Sequence, residues 1–91
     1  MYLVTMALVA TDRADLMDLE PTIVSDILWA VVRPEQRLEH VHAMAWHGRV
    51  DLALFHQGID ETEAAASALQ MCEQACISSP MLRGWRPRQE V

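Results

Sequence analysis

The stretch from 37 to 57 constrains this chain most. His47-Gly48 has the composition of a tight turn, because glycine tolerates the positive φ that such turns demand. Folding the chain there sets Trp46 opposite Arg49, Ala45 opposite Val50, Ala43 opposite Leu52 and Val41 opposite Leu54. One face of the resulting hairpin reads Val41, Ala43, Ala45, Val50, Leu52, Leu54, apolar throughout. The other reads His40, His42, Met44, Trp46, Arg49, Asp51, Ala53, Phe55. Side chains alternate along a strand, so a slip of one residue would scramble both sets. The agreement predicts both the hairpin and its register.

The flanking segments say what the hairpin packs against. Residues 2–10 are β-branched and apolar on both faces, as in a central strand with both sides covered. Leu16, Leu19, Ile23, Ile27 and Val31 recur at intervals of three and four, which predicts one stripe of a helix over 19–32. Pro21 fits the first turn of that helix, and Pro34 stops it. Asp60 with Glu63 has the spacing of a helix N-terminal capping box. The segment behind it, 62–78, is rich in helix formers. Ala65, Leu69, Cys72 and Cys76 form its predicted buried stripe, flanked by Ala68 and Ala75. Ser78-Ser79-Pro80 ends it, and 81–87 supplies a short edge strand. The order strand, helix, hairpin, helix, strand predicts an α+β fold, a single ferredoxin-like βαββαβ domain over 1–91. Its four-stranded antiparallel sheet carries two helices on one face.

Ninety-one residues form a small body, which buries only about 60–65% of the surface of its unfolded chain. With 52% apolar residues, a core of that size leaves apolar surface over to meet a partner. The net charge of −6 argues against a general binder of nucleic-acid backbones. All seven basic residues are arginines, and Arg83, Arg86 and Arg88 gather near the C-terminus, where a solvated tail is the ordinary reading. No stretch approaches the roughly 20 apolar residues of a membrane helix. The apolar run 2–10 lacks a positive flank and is followed by Asp12, Arg13 and Asp15, so a cytoplasmic protein is expected.

Few residues carry recognisable chemistry. His40 and His42 share one strand face, with His47 and His56 near in sequence, but two histidines without a further ligand do not make a zinc site. They are expected at a sheet edge or an interface, with no metal. Cys72 and Cys76 lie late in a helix, on its buried side, and are expected to be inert thiols. Asp12, Asp15, Asp18 and Glu20 surround a helix start, where negative charge complements the helix dipole. In the segment Leu82 to Pro87, Trp85 is expected to cap the core while its arginines stay wet. No phosphate loop, nucleophile elbow or cofactor motif is present, and no cofactor is expected.

The open face of the sheet is the remaining feature. Met44, Trp46, Ala53 and Phe55 line it, joined by one alternate set of residues from the first strand. The expected function is therefore a non-enzymatic interaction module that forms a homodimer, or docks on a larger protein, through this face. Met44, Trp46 and Phe55 are its anchors, and His40 and His42 are part of the contact. No nucleic acid and no membrane are expected as partners. The alternative is a small dimeric α/β-barrel enzyme, monooxygenase- or cyclase-like, acting on an apolar substrate with His40 or His42 as acid/base.

Overall fold

A computed structural model describes residues 1–11, 19–58 and 60–89. Strand β1 (Tyr2–Ala10) is followed by helix α1 (Pro21–Val31), strand β2 (Leu38–Trp46), strand β3 (Arg49–His56), helix α2 (Glu61–Ser78) and strand β4 (Trp85–Gln89). The strands form one four-stranded sheet in the order β2-β3-β1-β4, with every neighbouring pair antiparallel. The architecture is α+β.

The hairpin register matches the alternation. Trp46 pairs with Arg49, Ala45 with Val50, Ala43 with Leu52 and Val41 with Leu54. Gly48 sits at φ +75°, which a side chain disfavours, and its carbonyl accepts a hydrogen bond from the Ala10 amide. A register irregularity between Leu38 and His40 marks where β2 enters the sheet. Gly84, at φ +81°, turns the chain into β4, and its carbonyl accepts from both the amide and the hydroxyl of Thr11. That bond ties the end of β1 to the start of β4.

Both helices pack on the face presented by Val4, Met6 and Leu8 of β1 and Val50, Leu52 and Leu54 of β3. Fully burying one such aliphatic side chain stabilises the fold by about 1.5–3 kcal/mol. The helices meet the sheet one residue away from the stripes predicted for them. In α1 the buried residues are Val24 and Leu28, with Ile27 and Val31 at the flank. In α2 they are Ala64, Ala68, Met71, Cys72 and Ala75, while Leu69 and Cys76 are only partly buried. Of the predicted stripes, Leu19 and Cys72 are buried as expected; in α2 the small Ala64, Ala68 and Ala75 on the inner face let the helix backbone lie close to the sheet. α2 starts as expected, with the Asp60 carboxylate accepting from the Glu63 amide at 2.7 Å. Pro21 occupies the first turn of α1. Leu16, Asp12, Asp15 and Asp18 lie outside the described residues.

Candidate functional site

The pleat decides which side chains reach the uncovered face. Residues directly opposite one another on paired strands share a face. The β1–β3 register sets Leu3 beside Phe55, Thr5 beside Ala53, Ala7 beside Asp51 and Val9 beside Arg49. The β2–β3 register adds His40, His42, Met44 and Trp46 to those four rows. On the other side, β4 places Arg88 beside Ala7 and Arg86 beside Val9. The face is therefore a grid with His40, His42, Met44 and Trp46 along its β2 edge, and two guanidiniums along its β4 edge.

Three large apolar side chains stand out of this grid: Leu3 is 57% exposed, Met44 48% and Trp46 56%. Phe55 is half-buried, its ring tilted against that of His40 with centroids 5.7 Å apart. Asp51 organises the row of Trp46 and Arg49. Its Oδ2 accepts the indole N–H of Trp46 at 3.0 Å, and its Oδ1 takes the Arg49 guanidinium at 2.6 Å. The carboxylate so neutralises Arg49 and holds the indole in place on the face. An open depression of about 430 Å³ lies beside it, with Thr5, His42, Met44 and Ala53 among its walls.

No protein-family model, no curated protein and no solved structure matches the chain. The geometry alone carries the functional argument.

The histidines do not converge. His40 and His42 are exposed on the open face, and His47 sits in the hairpin turn. His56 points to the opposite side, is fully buried, and places Nδ1 2.8 Å from the Gln36 carbonyl oxygen. Since a carbonyl only accepts, Nδ1–H donates in this contact. Nε2 meets no hydrogen-bond partner among the described residues. Gln36 is itself buried, and its side-chain carbonyl accepts from the Arg33 amide at 2.8 Å. His56 therefore belongs to a structural knot that fastens the end of β3 to the turn before β2. The sequence placed it near His40 without separating the two faces.

The cysteines are shielded. Burial, reinforced by Cys76 and Glu73, pushes the Cys72 thiol up to about 12, and burial with Glu73 pushes Cys76 up to about 11. A thiol held so far above neutrality is a poor nucleophile. Among the described residues no three of His, Cys, Asp and Glu come together as a group able to hold a metal ion. No helix among them is long and apolar enough to cross a membrane.

The sequence reading overlooked that Arg86 and Arg88 belong to the same face as Trp46. The signal was there: in Trp85-Arg86-Pro87-Arg88 the residue types alternate with period two. Trp85 is buried at 6% exposure while Arg86 and Arg88 are exposed, and the strand runs to Gln89, two residues beyond the predicted segment.

Proposed function

We propose that this chain is an interaction module that self-associates, or docks on a larger protein, through the open face of its sheet. Met44, Trp46 and Phe55 act as anchors, with His40 and His42 alongside them. The observation that carries this reading is the concentration of Leu3, Met44 and Trp46, each about half exposed, on one continuous face opposite the core. Aromatic side chains and methionine are enriched in buried contacts between proteins. The polar group at one end, Arg49 with Asp51, suits the rim of such a contact.

The reading includes a ferredoxin-like arrangement. It is supported by two β-α-β units and by the strand order, which from the other edge runs β4-β1-β3-β2. It also includes a cytoplasmic location, supported by two free thiols where an oxidising compartment favours disulfides.

A second reading has one observation behind it: His42 lines the open depression on the face. A second sheet laid over that depression would turn it into an enclosed pocket, with His42 as acid/base for an apolar substrate. An assembled form with no cavity between its sheets removes this reading.

The test of the leading reading is the mass in solution, by size-exclusion chromatography with light scattering, for the parent and for Trp46→Ala. Truncating an aromatic anchor costs about 2 kcal/mol or more, or roughly 30-fold in the dissociation constant. The parent is expected as a dimer that the substitution breaks. Equal assembly of the two removes the assignment of the face, and a parent monomeric at about 100 µM removes self-association.

A further inference from the structure

The face has a polarity that constrains how two copies can meet. Its rows run from β2 through β3 and β1 to β4. The fourth row reads Trp46, Arg49, Val9, Arg86, and the third reads Met44, Asp51, Ala7, Arg88. Arg49 is neutralised by Asp51 within its own chain at 2.6 Å. The unevenness therefore lies at the edges: Trp46 and Met44 on one side, and the exposed guanidinium of Arg86 on the other. Three strand spacings separate the edges, roughly 14 Å.

A closed dimer formed face to face needs a two-fold axis lying between the sheets, and packed sheets keep their strands within about 30° of each other. Two orientations satisfy both demands. An axis running across the strands lays the β4 edge of one copy over the β4 edge of the other. The two Arg86 guanidiniums then share one edge, and both indoles share the opposite edge. An axis running along the strands exchanges the edges, so that β2 of each copy lies over β4 of its partner, row on row. Trp46 then meets Arg86, and Met44 meets Arg88.

Physical chemistry separates the two. Gathering like charges where water is being excluded is unfavourable, whereas a guanidinium over an indole face is attractive, more so when desolvated. Sheets packed about 10 Å apart bring an arginine and a tryptophan reaching from opposite sides into that range. The indole is already fixed by its bond to Asp51, so little freedom remains to be lost on contact.

We infer that the partner on the open face is a second copy of this chain, related by a two-fold axis along the strands, with Trp46 of each copy stacked on Arg86 of the other. The inference rests on the self-association proposed above and assigns its orientation.

Sedimentation equilibrium on the parent and on Arg86→Glu, together with native mass spectrometry of their mixture using an isotope-labelled parent, tests it. Arg86 is exposed on a strand edge, so its replacement leaves the core untouched. With the edges exchanged, Arg86→Glu lays a carboxylate over each indole. It weakens the dimer tenfold or more, and hybrid dimers form no more often than chance. With like edges together, the substitution relieves repulsion, and hybrids exceed the share that random pairing gives. Hybrid enrichment, or an unchanged dissociation constant for Arg86→Glu, overturns the orientation and leaves self-association standing. A monomeric parent overturns both.

Discussion

Raising the pH from 8 to 10 should loosen this fold through one buried thiol. Cys72 is fully buried in α2 against the sheet, and its burial, with Cys76 and Glu73 near, holds the thiol at about 12 against an ordinary value of 9.0. The folded chain keeps the proton, while the unfolded chain gives it up above pH 9. Fewer protons are then bound by the unfolded state, so stability falls as pH rises. The stabilising share is whole below the unfolded value and is lost progressively between about 9 and 12. At pH 10 linkage gives about 1.4 kcal/mol for this group, and at pH 8 under about 0.1 kcal/mol. Cys76 acts in the same sense but is only partly buried, so solvent screening reduces its share. The assay is urea unfolding of the parent and of Cys72→Ala at pH 8 and at pH 10. Removing the sulfur leaves a small cavity costing roughly 1 kcal/mol at pH 8. That deficit should close at pH 10, because the variant has no thiol there to protect. A deficit of the same size at both pH values would refute the argument, since it would mean that Cys72 ionises as easily folded as unfolded.

Two further expectations concern the scaffold. Asp60→Ala removes the carboxylate that caps the Glu63 amide at 2.7 Å and should cost about 1 kcal/mol in chemical unfolding; no change would mean that water replaces the cap fully. His56→Phe deletes the donor to the Gln36 carbonyl and also the unpartnered Nε2, two opposing changes of about 1–3 kcal/mol each, so its net effect should stay within about 2 kcal/mol. His56→Ala, which also opens a cavity, should cost about 3 kcal/mol or more; equal losses for the two variants would contradict this division.

The hairpin was legible because period-two alternation forbids a one-residue slip, and the His47-Gly48 turn fixes which pairing keeps Val41, Ala43, Ala45, Val50, Leu52 and Leu54 on one side. The helix faces were read one residue off. An alanine-rich segment has no strong hydrophobic asymmetry, and the larger Leu69 and Cys76 drew the stripe toward themselves. What decides that face is how closely the backbone can approach the sheet, and this favours Ala64, Ala68 and Ala75, residues that a hydrophobicity pattern weighs lightly. His56 was grouped with His40 and His42 because closeness in sequence says nothing of parity. The alternation of β3 itself, carried one step past Phe55, puts His56 on the core side with Val50, Leu52 and Leu54. Met44, Trp46 and Phe55 could be placed together from the hairpin alone. Arg86 and Arg88 could not be joined to them without knowing that β4 pairs with β1, a contact between segments more than seventy residues apart.

That last pairing changes what the open face is. Judged from the hairpin, it is a greasy surface with a polar end, able to suit almost any apolar partner. With β4 in place it acquires direction, because Met44 and Trp46 lie on one edge strand and Arg86 and Arg88 on the other. A surface of this kind discriminates by orientation: one way of laying two copies together matches guanidinium to indole, and the other brings like charge to like charge. The acidic composition of the whole chain gives no hint of this, since net charge averages over every surface. In the proposed pairing of two copies, Arg86 on one edge strand and Trp46 on the other would decide which orientation is accepted.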